Sequence, residues 1–208
     1  MLGSGFRIAM RDLEIRGAGN LLGAEQSGHI ASVGYDMYCR LLEQSSKELK
    51  GEESPREEMP TVEIGVTGTL SRRYIPSEAR RLEAYRRIAE ARTHEALERV
   101  ASDLRAAYGD PPESARALLD LAELRVGLAM RGVRSVVVKE RDVILRTDDT
   151  EATALMLEDA NGSVRVVEGR GTGEVREVFY RPPEGYLEPP TLLNVLRSRV
   201  RGGVASVA

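Results

Sequence analysis

The sequence of 208 residues contains one cysteine and only two histidines. Cys39 has no partner for an internal disulfide, so a reducing compartment suits the chain. His29 and His94 each lack a second metal ligand at the spacing that zinc sites use. These absences argue against a disulfide-stabilised secreted protein, and the sequence predicts no metal site.

Long hydrophobic runs and phosphate-binding motifs are also missing. No apolar stretch approaches the roughly 20 residues of a membrane helix, and the N-terminus does not have the pattern of a secretory signal. We therefore expect a cytoplasmic chain with no membrane partner. There is no G-x-x-x-x-G-K-[ST] loop, and Gly17, Gly19 and Gly23 have one residue too many for a dinucleotide fingerprint. We expect no cofactor and no catalysis by this chain alone, although a catalytic site assembled in space stays open.

A surplus of positive charge is absent as well. The chain has 30 basic and 33 acidic residues, which gives a net charge of -3. Residues 1–54 contain six basic and eight acidic side chains, and residues 55–208 contain 24 and 25. Neither part has the charge that a stand-alone DNA-binding domain uses to hold phosphates.

The first quarter of the chain contains a glycine-rich segment between two stretches of helical pattern. Residues 5–16 predict a short helix, residues 17–34 a glycine-rich loop, and residues 35–49 a second helix with apolar residues at helical spacing. The segment "KGEESPREEMP" that follows is typical of a linker. We therefore predict a helical hairpin over residues 1–54 and a second domain over residues 55–208.

The second domain predicts an α+β fold with short strands. A strand is predicted over residues 61–70, followed by a helix capped by Ser77, a helix capped by Thr93 that ends at Gly109, and a third that starts with Pro111 and Pro112 and ends at Gly132. Further strands are predicted at 133–138, 142–147, 163–168 and 175–180, and helices at 150–159 and 190–201. The Asn161-Gly162 pair predicts a turn before the strand at 163. Glycines at 162, 169, 171 and 173 leave the register of the last strands weakly specified.

Two stretches of the sequence resemble one family. "GFRIAMRDLEIRGAGNLLGAEQSGHIASVGYDMYCRLLE" is similar to the translocation motif of bacterial transcription-repair coupling factors (Mfd), which the branch-migration helicase RecG also contains. "YIPSEARRLEAYRRIAEARTHEALERVASDLRAAYGDPPESARALLDLAELR" resembles the first helices of the C-terminal domain of these factors and is not expected in RecG. The second stretch therefore selects the coupling-factor family.

The resemblance implies a role for the N-terminal hairpin. In the family, this hairpin lies against the second motor lobe and transmits nucleotide-driven closure of the lobes to the DNA-gripping surface. The residues that match its functional positions are Arg11, Arg16 and Gln26. A guanidinium such as that of Arg16 can bind a carboxylate or a phosphate with two hydrogen bonds. The spacing alone favours an exposed Asp12–Arg16 helix pair, worth about 0.2–0.5 kcal/mol, and the resemblance is what favours a functional role for Arg16.

The resemblance also implies a regulatory C-terminal domain. In the family, this domain packs on the UvrB-like N-terminal region of the same polypeptide and hides the surface that binds UvrA. Asp103 matches an acidic contact residue, but Ala106 and Ala107 stand where charged residues are expected. By sequence alone, the simpler interpretation of Asp103 is an acid on a solvated helix face.

The family is an ATP-dependent DNA translocase that binds RNA polymerase, moves on duplex DNA and recruits nucleotide excision repair. The helicase-like motifs that bind ATP and Mg²⁺ are not in this sequence, so the resemblance implies a non-catalytic C-terminal fragment. The alternative is an autonomous module that binds duplex DNA through the hairpin loop and the basic tail "RSRVRGG", which contains Arg197, Arg199 and Arg201.

Overall fold

A computed structural model describes residues 59–158, 160–167 and 176–202 of the chain. Within these ranges the protein is mixed α and β, which confirms the predicted class. The predicted hairpin, its glycine-rich loop and most of the linker lie outside the described residues. The helices are α1 (Glu78–Glu90), α2 (His94–Tyr108), α3 (Glu113–Ala129), α4 (Thr150–Glu158) and α5 (Pro189–Gly202). The strands are β1 (Thr61–Glu63), β2 (Val133–Lys139), β3 (Asp142–Thr147), β4 (Ser163–Val167) and β5 (Glu177–Arg181), and a 3-10 turn at Glu184–Tyr186 precedes α5.

The five strands form one sheet in the order β1-β2-β3-β5-β4. β1 runs parallel to β2, and the other three neighbouring pairs are antiparallel. The chain bends at Asn161 and Gly162, as predicted, and then enters β4. β4 and β5 pair in continuous register from Ser163 opposite Arg181 to Val167 opposite Glu177. Burial of alternate β5 residues selects this register, because a slip by one residue would expose them.

One face of the sheet carries the larger hydrophobic core, which we call the sheet core. Val143, Leu145 and Tyr180 point to this face, as the two-residue period of a strand requires, and are fully buried. α3, α4 and α5 supply the side chains that cover them. We call the opposite face of the sheet the open face. Ile144 and Phe179 are half-buried there. They lie between two ion pairs, Arg146–Glu177 and Arg181–Asp142.

The first strand is shorter than predicted. β1 ends at Glu63, whereas the alternation of residues favoured a strand over 61–70. Gly65 adopts a φ of +78°, which turns the chain out of the sheet. The segment then lies along the start of α3, where the Thr69 amide donates to the Ser114 carbonyl at 3.0 Å. A Cβ on Gly68 would lie 2.2 Å from the Leu118 nitrogen, so only glycine allows this close approach.

α1 and α2 begin where the sequence predicts, and α2 also ends there. The Ser77 hydroxyl accepts from the Arg80 amide at 3.4 Å, and the Thr93 hydroxyl accepts from the Ala96 amide at 3.1 Å. Each cap satisfies an amide that the first helical turn would otherwise leave unpaired. α2 ends at Gly109, whose amide donates to the Arg105 carbonyl at 2.9 Å. Both predicted caps and the C-terminal glycine are therefore confirmed.

α3 differs slightly from its prediction. The prolines precede the helix, with Pro112 as the N-terminal cap, and the helix ends at Ala129. Tight turns at Met130 and Arg131 connect it to Gly132, because their amides donate to the Val126 and Leu128 carbonyls. The sequence pattern could not separate these turns from the helix, since they continue its right-handed course.

α3 contributes buried side chains to two separate hydrophobic cores. Leu121, Leu124 and Leu128 belong to the sheet core, whereas Ala115, Leu118 and Ala122 belong to a second cluster that we call the helical core. The helical core is completed by α1, α2 and the preceding loop, with Leu70, Tyr74, Ile75, Ala84, Tyr85, Ile88, Ala91, Leu97, Val100 and Leu104. The two faces of one helix therefore join both halves of the domain.

The chain enters the domain beside α3. Arg125 of α3 is 5% exposed, and its Nε donates to the Pro60 carbonyl at 2.9 Å. A buried guanidinium needs such a partner, because an unsatisfied buried charge is strongly destabilising. Arg125 therefore fixes the residue that precedes β1.

Candidate interdomain contact surface

The residues predicted for the translocation motif, Arg11, Arg16 and Gln26, lie outside the described residues. Asp103, the predicted interdomain contact, lies in the third turn of α2. Leu97, Val100 and Leu104 form the buried face of this helix, and Asp103 is on its exposed side. The candidate surface is therefore the outer face of α2 with the neighbouring face of α1.

Asp103 already has an ion-pair partner within the domain. Arg87 of α1 donates from Nη2 to Oδ2 of Asp103 across the groove between the two helices. The side chains are 38% and 59% exposed. Pairs at such exposure are worth about 0–1 kcal/mol, so a competing cation can displace Arg87 at little cost.

The rest of this surface is polar or small. Arg86 donates to Glu83 at 2.6 Å and to Glu90 at 3.1 Å along α1. The hydrogen bond from Arg86 lowers the pKa of the Glu83 carboxyl below its ordinary value. Ala106 and Ala107, which stand where the family resemblance expects charges, are exposed. Asp103 is therefore the carboxylate that α2 presents on this surface, and the small side chains of Ala106 and Ala107 let a binding partner approach it closely.

The predicted basic tail is largely used inside the domain. Arg197 of α5 forms an ion pair with Asp120 at 2.7 Å and donates from Nε to Glu123 at 3.1 Å, and Arg201 pairs with Glu123. Arg199 is half-buried. Two of the three arginines proposed to grip DNA therefore already have carboxylate partners on α3, which removes support from the DNA-binding alternative.

The Glu123 cluster was not foreseen from the sequence, because its partners lie more than 70 positions apart. Burial opposes ionisation of Glu123, but hydrogen bonds from Arg201 and Arg197 outweigh it and lower the pKa of this carboxyl. Burial raises the pKa of the neighbouring Asp120, against the attraction of Arg197. The sequence did contain one signal of this cluster. Asp120 and Glu123 are three residues apart on α3, and Arg197 and Arg201 are four residues apart on α5, so each pair lies on one face of its helix.

Two further features, a metal-binding cluster and a membrane-spanning helix, are absent from the part of the chain that the structure describes. In residues 59–158, 160–167 and 176–202, no group of three or more histidine, cysteine or acidic side chains could hold a metal ion. No helix in the same ranges is long and apolar enough to cross a membrane. His94 opens α2, with its Nδ1 4.0 Å from Oε1 of Glu123.

Comparison with known proteins identifies the family. Residues 64–156 match the TRCF domain family. The transcription-repair-coupling factor of Staphylococcus epidermidis is 42% identical over 144 residues, which is 68% of this chain and 12% of that protein. The Staphylococcus aureus protein of the same name is 35% identical over 165 residues, 78% of this chain and 14% of that protein. The chain therefore spans about an eighth of the length of these curated relatives.

A solved structure is similar in fold. The crystal structure of the C-terminal domain of a transcription-repair coupling factor superposes with a TM-score of 0.52 at 15% sequence identity. The match covers 70% of this chain and 96% of that domain. Together with the sequence matches, this shared fold shows that the chain belongs to the transcription-repair-coupling factor family.

Proposed function

We propose that this chain is the C-terminal part of a cytoplasmic transcription-repair-coupling factor and is itself non-catalytic. The observation that carries the proposal is the match of residues 64–156 to the TRCF domain, in a chain that aligns with 12–14% of its relatives' length. Residues 1–54 supply the translocation hairpin. ATP, Mg²⁺, duplex DNA and RNA polymerase are bound by other parts of the parent translocase.

The domain over residues 55–208 acts by masking. It docks on the UvrB-like N-terminal region of the same polypeptide and covers the surface that binds UvrA. Because both partners belong to one chain, their effective concentration is high, and a modest interface stays closed until the motor moves. Rearrangement on DNA then exposes the UvrA site.

The outer face of α2 is the contact surface of this clamp. Asp103 is 59% exposed there, and its bond to Arg87 is a weak surface pair. A lysine or arginine of the UvrB-like region can replace Arg87 as the partner of this carboxylate. The caps of α1 and α2 and the helical core hold the face in one shape, so docking requires little reorganisation.

The test is a calorimetric titration of the 208-residue chain with the separately expressed UvrB-like region of the same parent, at two salt concentrations. We expect saturable binding that weakens with salt and falls about tenfold or more with Asp103→Arg, since the change places like charges together. Glu98→Arg is the matched control, because it makes the same charge change at another exposed position of α2.

The outcomes separate the alternatives. Equal weakening by Asp103→Arg and Glu98→Arg would assign binding to net charge and would overturn the α2 contact. No binding at about 50 μM of the partner would overturn the clamp as a property of this chain. Retention of duplex DNA by the same sample at physiological salt would then favour the DNA-binding alternative.

A further inference from the structure

β4 lies at one edge of the sheet. Residues Ser163–Val167 pair with β5, and no other described strand pairs with β4. Within the part of the chain that the structure describes, the backbone amides and carbonyls on its outer side therefore meet no strand and can pair with a further one. Val166 and Val167 are 41% and 39% exposed, and they point to opposite faces of the sheet. This edge therefore offers both backbone hydrogen bonds and apolar surface.

The centre of this edge is an arginine held in place by an aromatic ring. Arg165 lies opposite Phe179, and its guanidinium carbon is 4.6 Å from the centre of that ring on the open face. The open-face arginines of β5 and β3 have carboxylate partners: Arg181 donates to Asp142 at 2.7 Å and Arg146 to Glu177 at 3.0 Å. Among the described residues, no carboxylate pairs with Arg165. The edge therefore presents a cation that forms no ion pair with a described carboxylate, while Asp142, which Arg181 already pairs, lies close enough to be stabilised by its charge.

We propose that β4 binds an extended segment of a different polypeptide as a sixth strand, with an acidic residue opposite Arg165 and apolar residues on either side of it. Residues directly opposite in adjacent strands share a face, so a carboxylate at that position meets the guanidinium. Its two neighbours point to the other face and extend the apolar surface of Val164 and Val166. Backbone pairing gives the affinity, and the alternating side chains give the specificity.

A second copy of this chain fits the edge less well. Two copies of β4 that pair along their full length are related by a two-fold axis through the central residue. Arg165 of one copy would then lie directly opposite Arg165 of the other, and like charges in that position are destabilising. The same cation that attracts an acidic strand therefore disfavours self-pairing.

The test uses the ¹⁵N-labelled 208-residue chain and a synthetic seven-residue peptide with the sequence Lys-Thr-Val-Glu-Val-Thr-Lys. We expect saturable shifts of the amide signals of residues 163–167 below about 1 mM peptide. A control peptide with lysine in place of the central glutamate should bind about tenfold more weakly, because it brings a like charge to Arg165. The variant Arg165→Glu should reverse this preference.

A second control leaves the protein unchanged. N-methylation of the peptide amides that face β4 removes the donors of the glutamate peptide to this strand and should abolish the shifts. This control does not depend on whether the variant Arg165→Glu folds. Equal binding of the glutamate and lysine peptides, shifts confined to residues away from β4, or no saturable shift would each overturn the proposal. Concentration-dependent dimerisation that protects the amides of 163–167 would overturn it in favour of a second copy.

Discussion

The helical core and the sheet core lie on opposite sides of α3, and they are assembled in different ways. Every member of the helical core comes from one continuous stretch between Leu70 and Ala122. The sheet core combines residues from Val62 to Val200, almost the whole described chain. Local contacts form at a smaller entropic cost than distant ones. The helical core is therefore the self-contained half, and the sheet core depends on both ends of the domain.

The largest expected effect tests whether the two cores unfold together. Leu118 and Leu124 are both fully buried on α3, one in each core. Replacing either by alanine should lower the free energy of unfolding by about 2–5 kcal/mol, from lost burial and the cavity left behind. Urea unfolding followed by circular dichroism should show one transition for both variants. Two separate transitions in Leu124→Ala would instead show that the helical core survives alone.

The next effect comes from two glycines at close contacts of α3. A Cβ on Gly68 would lie 2.2 Å from the Leu118 nitrogen, and one on Gly127 would lie 2.6 Å from Cγ2 of Val200. Alanine at either position should destabilise the domain by about 1–3 kcal/mol through overpacking. Gly68→Ala should be the more harmful, because backbone cannot rotate away as a side chain can.

Gly185→Ala is the matched control for these variants, since nothing lies within 4 Å of its added Cβ. Its melting temperature should equal that of the unmodified chain. If Gly127→Ala also leaves the melting temperature unchanged, α5 does not pack against α3 as closely as the distances require.

A smaller effect concerns the charges that attach α5 to α3. Glu123→Gln should lower the free energy of unfolding by roughly 1–2 kcal/mol at pH 7, since it weakens the hydrogen bonds from Arg197 and Arg201. The pKa of Glu123 is lowered by folding, so its stabilising contribution is present above the pKa of the unfolded chain. That contribution is lost as the pH falls through the folded pKa.

Stability measured from pH 7 to pH 3 should therefore fall less steeply in Glu123→Gln than in the unmodified chain. Asp120→Asn is the matched control, because burial raises the pKa of Asp120 and its ionised form is the less favoured one. If both variants lose equal stability at pH 7, Glu123 and Asp120 contribute equally to the attachment of α5. That result would contradict the larger role that we assign to the ionised Glu123.

The smallest effect on stability is expected at the surface of the helical core. Arg87→Ala removes an exposed pair with Asp103 and should change the free energy of unfolding by about 0–1 kcal/mol. In the titration with the UvrB-like region it should strengthen binding, because Asp103 no longer has an internal competitor. Unchanged affinity would indicate that Asp103 does not take part in the contact.

The sequence predicted the helical half well because its signals are local. Ser77, Thr93 and Gly109 mark helix ends by their own chemistry, and the apolar spacing of α2 identifies its buried face. The strands of the sheet were placed to within two residues where they are described, except β1. β1 is short because the chain turns at Gly65 and then lies along α3, where Gly68 meets Leu118, about 50 positions away. No local pattern reports that contact.

The candidate surface was only partly predictable for the same reason. Asp103 was selected by family resemblance, and its exposure follows from the period of α2. Its pairing with Arg87, and the capture of Arg197 and Arg201 by α3, depend on how separate helices pack. The run of arginines in the sequence therefore overstated how much of the basic tail is available to a ligand.

The buried Arg125 has a mechanical consequence. It bonds the carbonyl of Pro60, at the point where the chain arrives from residues 1–58, and it belongs to the helix that both cores share. A force applied through the preceding residues therefore acts on two contacts at once: the hydrogen bond from Arg125 to Pro60 and the pairing of β1 with β2. A pull from upstream would therefore act on α3 as well as on β1.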